Sequence, residues 1–174
     1  LSDPAPSQTP NIGVYIHWPY CARICPYCDF AVVRDRGRKT EQAALVDAIA
    51  ADLTAQAAML GKRRLASIFL GGGTPSLMDP GDAGRLIALC RTLWPGADGD
   101  GNGVEITLEA NPTDAEADRF SAFADAGVNR LSLGVQALDD ASLAFLGRNH
   151  GADEARRAAT VGGRLFARLS LDLI

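Results

Sequence analysis

Short apolar runs alternate with helix-period segments along almost the whole chain, and no other feature constrains the fold as strongly. Ile12, Val14, Tyr15 and Ile16 form the first strand candidate. Glu41 to Leu60 follows, with Leu45, Ile49, Leu53 and Leu60 along one helical face. Leu65 to Leu70 is a second strand, and Gly71, Gly72 and Gly73 come directly after it. Asp79 can cap the next helix with Pro80 at its first position; Leu86, Ile87, Cys90 and Leu93 then face inward. Val104 to Leu108 is a third strand, ending at Glu109. Thr113 and Glu116 make a capping box for a helix that buries Phe120, Phe123 and Ala124 and stops at Gly127. Arg130 to Val135 is a fourth strand beside Gln136. Short helices near 140–145 and 153–161 lead to a fifth, Arg168 to Ile174.

This rhythm requires a parallel sheet with right-handed crossovers. An open doubly wound sheet and a barrel both satisfy it. The polar residues separate them: His17, the triple glycine, Glu109, Gln136 and Asp172 lie at or near the carboxyl ends of successive strands. A barrel gathers reactive groups there from several strands, whereas an open sheet concentrates them at one switch point. The expected fold is α/β, a partial barrel over residues 12–174. Residues 1–11, with Pro4, Pro6 and Pro10, read as a loose tail, and 95–103 as a Gly/Asp-rich surface loop. The chain stops inside the apolar run Leu169, Leu171, Leu173, Ile174, which reads as a cut through a strand and therefore as a fragment.

Composition excludes several classes. With 47% hydrophobic and 22% charged residues, the chain is neither disordered nor fibrous. Seventeen basic against 21 acidic residues give a net charge of -4, which argues against a globally basic nucleic-acid binder. No run of about 20 apolar residues stands out as a membrane span, and no secretory signal is visible.

Cys21, Cys25 and Cys28 carry the chemistry. They stand in the run Cys-Ala-Arg-Ile-Cys-Pro-Tyr-Cys, close enough to wrap one small inorganic centre in a single loop. Structural zinc wants four ligands, usually as two Cys-x-x-Cys pairs. The fourth cysteine, Cys90, falls on the apolar face of a helix and reads as core packing. An iron–sulfur cluster with one open iron fits the triplet better; zinc completed by His17 is the alternative. Metal-bound thiolates imply a reducing compartment.

Cys-x-x-x-Cys-x-x-Cys beside Tyr27 resembles the signature of the radical S-adenosylmethionine (SAM) enzymes. Tyr15-Ile16-His17-Trp18-Pro19-Tyr20 is similar to the opening of one branch, the oxygen-independent coproporphyrinogen III oxidases and their relatives. Gly71-Gly72-Gly73-Thr74-Pro75-Ser76, Glu109-Ala110-Asn111-Pro112, Asn129 to Gln136, Gly147-Arg148-Asn149-His150 and Asp172-Leu173-Ile174 match in order. One position separates subfamilies. The true oxidases carry a further cysteine two residues after the third; here that place is Phe30, and Pro-Tyr-Cys-Asp-Phe resembles the HemW-like haem chaperones.

The resemblance implies a radical SAM (β/α)6 partial barrel, here stopping after about five strands, with a C-terminal domain outside this sequence. It implies a [4Fe-4S] cluster on Cys21, Cys25 and Cys28, whose open iron is chelated by SAM and whose electron cleaves SAM to a 5'-deoxyadenosyl radical. SAM contacts carried over are Tyr15, Gly72, Gly73, Thr74, Glu109, Gln136, Arg148 and Asp172. The glycine turn would admit the methionine end of SAM against exposed amides. Haem, a haem-accepting protein and a low-potential electron donor are the implied partners, with no nucleic acid. The implied location is the cytoplasm, at the membrane surface when haem is delivered. Whether such a protein is an enzyme is left open by Phe30. The basic run Arg34, Arg36, Arg38 and Lys39 reads as a solvated loop, with haem propionates or an electron donor as alternative contacts. His150 receives no ligand role.

Overall fold

A computed structural model describes residues 9–95 and 103–174. Five strands form one parallel sheet: β1 (Asn11–Trp18), β4 (Arg64–Gly72), β5 (Glu105–Ala110), β6 (Arg130–Gln136) and β7 (Arg168–Leu173). Their order in space follows their order in the chain. There is no reversal of the kind a doubly wound sheet needs, so each crossover adds its strand on the same side, as in a barrel. The crossovers carry α1 (Lys39–Leu60), α2 (Pro80–Leu93), α3 (Asp114–Ala117), α4 (Phe120–Asp125), α5 (Asp140–Phe145) and α6 (Ala152–Leu165). Between β1 and α1, β2 (Tyr20–Cys21) and β3 (Val33–Arg34) pair as a separate two-stranded ribbon.

The two faces of the sheet differ because side chains alternate along each strand. Ile16 and Trp18, Ile68 and Leu70, Ile106 and Leu108, and Leu131 and Leu133 are buried in the core under the helices. The alternate positions hold Tyr15 and His17, Thr107 and Glu109, Arg130 and Ser132, and Ser170 and Asp172. Several of these polar groups pair across strands. Glu105 accepts from Arg130 and Arg168, Arg130 donates to Ser170 at 2.7 Å, and Ser132 donates to Asp172 at 2.9 Å. A face built largely from such groups does not close a dry core.

Several sequence expectations are corrected. β1 starts at Asn11 and runs to Trp18, because it pairs with β4 along its length, from Asn11 opposite Arg64 to Trp18 opposite Gly72. α1 buries Gln42, Val46 and Leu53, with Leu45 and Ile49 partly covered, while Leu60 at its end is exposed. By length and composition alone α1 would also pass as a membrane span. Its apolarity is mostly alanine, it packs on α2, and Asp47 pairs with Arg85 there. The single helix expected after Thr113 is two, α3 and α4, broken at Asp118 and Arg119. Expectations for residues 1–8 and for 96–102 lie outside the described residues. The Asp79 cap is present, accepting from Gly81 N at 2.8 Å with Pro80 at the first position.

Candidate functional site

The cysteine loop leaves the sheet at the end of β1 and returns beside it. Its neck is pinned by Val33 N donating to Pro19 O at 2.8 Å and Asp35 N donating to Cys21 O at 2.7 Å. His17 adds a third pin, because its Nε2 hydrogen-bonds Ala31 O at 2.8 Å. A carbonyl can only accept, so Nε2 carries a proton, and Nδ1 pairs with the Tyr15 hydroxyl at 3.1 Å. Both ring nitrogens are therefore occupied, which removes His17 as a fourth zinc ligand. Within the loop all three cysteines are free thiols, Cys21 buried and Cys25 and Cys28 half-buried.

The glycine turn lies directly beneath this neck. Gly72 has φ 116°, and a Cβ there would stand 2.7 Å from the His17 ring. Its amide donates to Glu109 Oε2 at 3.0 Å, Gly73 N to Trp18 O at 2.7 Å and Thr74 N to Tyr20 O at 2.9 Å. The turn therefore needs glycine so that the cysteine-loop neck can cross it, and these amides are already bonded within the protein rather than exposed for a ligand.

One cavity of about 150 Å³ opens at the carboxyl ends of the strands. Cys21, Cys25 and Cys28 line it together with Gly72, Gly73, Thr74, Glu109, Gln136, Arg148 and Asp172. Residues separated by up to most of the chain thus meet at one mouth, as the sequence reading expected. Tyr15 and Gly71 do not line it: Tyr15 is exposed and lies against Phe69, ring centroids 6.0 Å apart. Asn111, Ser132 and Gly134 line the cavity without having been singled out individually. The run Glu109-Ala110-Asn111-Pro112 contained the signal for Asn111, and the run Asn129 to Gln136 that for Ser132 and Gly134.

Arg148 is the most heavily engaged side chain. Nη1 donates to Cys25 Sγ at 3.2 Å and to Tyr27 Oη at 3.3 Å, and Nη2 to Asn111 Oδ1 at 2.6 Å and Gly134 O at 2.8 Å. Its Nε is buried and has no partner among the described residues. Gly147, at φ 69°, lets Pro26 of the cysteine loop approach: a Cβ there would meet the Pro26 ring at 2.8 Å. Gln136 ends β6 in the left-handed region at φ 69°, where the β6–β7 register also shifts. Such a conformation costs a non-glycine residue about 1–3 kcal/mol, and it occurs at the cavity wall.

Electrostatics at the mouth follow from burial. Burial raises the Glu109 carboxyl above its ordinary value; the Gly72 amide opposes this, the Asp172 charge adds to it and His17 opposes it. Burial likewise raises the Cys21 thiol, with the Thr74 hydroxyl offsetting part of the effect. Cys90, far from the mouth, is buried in α2 and pushed up to about 11 by its apolar surroundings, as a core thiol should be. His150 is buried with Nε2 on Val135 O at 3.1 Å, and burial lowers its basicity.

Among the described residues no three His, Cys, Asp or Glu side chains converge on a single metal ion. Three thiols nevertheless share one cavity wall. That arrangement suits a multi-iron cluster, in which each thiolate binds its own iron. Glu109 accepts only one bond among the described residues, through Oε2, so its second oxygen remains available to a cationic group. The donor set and the polar mouth fit an iron–sulfur cluster with a charged organic ligand beside it.

The fold and mouth define an α/β partial barrel with a three-cysteine loop, and the family model of the radical SAM superfamily matches residues 15–161. The chain belongs to the radical SAM superfamily, whose members imply a [4Fe-4S] cluster and SAM. Its relatives are of the HemW-like branch. It is 41% identical over 169 residues to the heme chaperone HemW of Escherichia coli (strain K12), covering 96% of this chain and 43% of that protein. It is 42% identical over 173 residues to radical S-adenosyl methionine domain-containing protein 1, mitochondrial, of Bos taurus, covering 98% of this chain and 37% of that one. The coproporphyrinogen III oxidase HemN of Escherichia coli shares the fold, with a TM-score of 0.82 at 23% identity over 95% of this chain and 37% of that chain. The chain thus spans only about two-fifths of the length of these curated relatives.

Proposed function

We propose that this protein is a HemW-like haem chaperone rather than a coproporphyrinogen III oxidase. Cys21, Cys25 and Cys28 would hold the [4Fe-4S] cluster, and SAM would lie against Gly73, Thr74, Glu109, Gln136, Arg148 and Asp172. When bound, the cluster and SAM supply reductive cleavage of a SAM carbon–sulfur bond. Glu109 is suited to the SAM amino group, since its free oxygen and raised proton affinity favour a cationic neighbour. Tyr15 acts indirectly, through His17 and the loop neck.

The observation that carries the reading is Phe30. It follows Cys28 by two residues, lines the cavity and is 63% exposed. Where the oxidases carry a further cysteine, this ring can neither ligate metal nor exchange a proton; it can pack against a flat apolar ligand. The relatives named heme chaperone favour the same reading, at 41% and 40% identity. Partners on this reading are haem, a haem-accepting protein and a low-potential electron donor, with the cytoplasm and its membrane surface as location. On this reading the barrel would begin with β1 at Asn11, and the complete activity would involve the part of the relatives' length that this chain does not cover.

The test is haem titration of the reconstituted full-length protein, followed by absorbance, beside product analysis with coproporphyrinogen III, SAM and reductant. Saturable haem binding without protoporphyrinogen IX formation is expected. Catalytic formation of protoporphyrinogen IX would replace this reading with that of an oxidase.

A further inference from the structure

Behind the cavity, outside its lining, lies a buried carboxylate that the cofactor reading does not use. Glu116 is 5% exposed. The sequence suggests only a capping box for it, and half of that box forms: Glu116 N donates to Thr113 Oγ1 at 3.3 Å. Its side chain instead turns toward the site. Oε2 accepts from the Ser76 hydroxyl and from Asn111 N at 2.9 Å, and Oε1 from Asn111 Nδ2 at 3.4 Å. A carboxylate this buried is tolerated because donors surround it.

From Glu116 a continuous chain of polar contacts reaches the cysteines. Asn111 spends its amide in two directions. Nδ2 also donates to Thr74 Oγ1 at 3.1 Å, and Oδ1 accepts from Arg148 Nη2 at 2.6 Å. Arg148 then reaches Cys25 Sγ with its other terminal nitrogen. Arg119 holds the same turn from behind, donating to Ser76 O at 2.6 Å and Met78 O at 2.7 Å. The break between α3 and α4 falls at Asp118 and Arg119, beside the two residues, Glu116 and Arg119, that make these contacts.

We propose that Glu116 is a positioning residue for the metal site: it fixes the amide orientation of Asn111, Asn111 fixes Arg148, and Arg148 holds Cys25. Asparagine can offer its oxygen to Arg148 only while its nitrogen has acceptors, and Glu116 and Thr74 are those acceptors. Glutamine at 116 has one acceptor oxygen where the carboxylate has two. One donor among Ser76, Asn111 N and Asn111 Nδ2 then loses its partner, and the orientation of Asn111 is no longer enforced. A positive charge beside a cluster thiolate favours the reduced, more negative state, so a loosened Arg148 makes reduction harder. The effect on the cluster rests on the cofactor reading above; the effect on the loop does not.

The experiment compares the full chain with Glu116→Gln, Arg148→Gln and the double variant. In the metal-free protein, amide exchange across residues 21–28 should speed up about tenfold in each single variant and no further in the double. In the reconstituted protein, the cluster midpoint should fall in Glu116→Gln by about 59 mV, a tenfold change for one electron. The same change in an Arg148→Gln background should add nothing. If Glu116→Gln does not fold, Asn111→Ala breaks the middle link and is judged by the same readings. Faster exchange confined to residues 72–76 and 111, with 21–28 and the midpoint unchanged, would reduce Glu116 to a structural role and overturn the proposal. So would additive effects in the double variant. Failure of the unmodified protein to assemble a cluster would instead overturn the cofactor reading, and the exchange comparison would still decide this one.

Discussion

The two faces of the sheet are made by adjacent residues and obey opposite rules. On the helix-covered face, Leu108 and Leu133 are fully buried and interchangeable in kind with any aliphatic of similar volume. One residue away, Glu109 and Gly134 stand at a polar mouth where identity rather than volume decides what happens. The covered face supplies stability through apolar area, about 1.5–3 kcal/mol for each large side chain buried. The open face supplies little, since its groups exchange hydrogen bonds with water for hydrogen bonds with one another. A single period-2 pattern thus writes the scaffold and the chemistry into the same strands, and the two should be separable by substitution.

The sharpest separation is at Cys25. Cys25→Ser should abolish or nearly abolish the iron and sulfide retained after anaerobic reconstitution, while the melting temperature of the metal-free protein stays within a degree or two of the parent (about 0.5 kcal/mol). Retention of a full cluster would show that Cys25 is not a ligand. Neighbouring positions on β5 give the next largest contrast. Leu108→Ala should cost about 2–5 kcal/mol in denaturant unfolding, because it empties space at 0% exposure. Glu109→Gln should leave unfolding within about 1 kcal/mol, since an amide oxygen can still accept from Gly72 N, yet weaken SAM binding by about tenfold or more through loss of a charge-assisted bond. Equal stability losses at the two positions would erase the distinction between the faces.

The smallest effect belongs wholly to the covered face. The Cys90 thiol is raised from 9.0 to about 11 by burial, so above pH 9 the unfolded chain releases this proton and the folded chain keeps it. The stabilisation tied to the neutral thiol is present below pH 9 and is lost as pH rises toward 11. Between pH 9 and 10 the loss should be about 1 kcal/mol. Stability measured against pH should fall less steeply over that interval in Cys90→Ala than in the parent; parallel curves would place Cys90 in contact with solvent.

The strand–helix order was legible because periodicity is a local property, and Asp79-Pro80 marked the start of α2 for the same reason. The convergence of the cysteine loop, the glycine turn, Glu109, Gln136, Arg148 and Asp172 was legible from their positions at strand ends and from the resemblance of their motifs. Other features were not. Leu60 fits the helical stripe of α1 but is the last residue of the helix and stays exposed. Thr113 to Gly127 reads as one helix until Glu116 and Arg119 find stronger partners on Ser76 and Met78. The glycine-turn amides looked free because their partners, Trp18 O at the end of β1 and Tyr20 O in β2, arrive from more than 50 residues earlier.

What this sequence determined by itself is the kind of fold and the kind of chemistry. A repeated change between period 2 and period 3.6 admits few architectures, and three cysteines in eight residues admit few metal centres. What only the tertiary structure decided is which partner each polar group takes. Tyr15 is spent on His17, His17 on Ala31 and Glu116 on Ser76 and Asn111. Hydrogen bonds are short-ranged and directional, so a donor's choice depends on which acceptor the folded chain brings within about 3 Å, and that distance is set by crossovers spanning tens of residues.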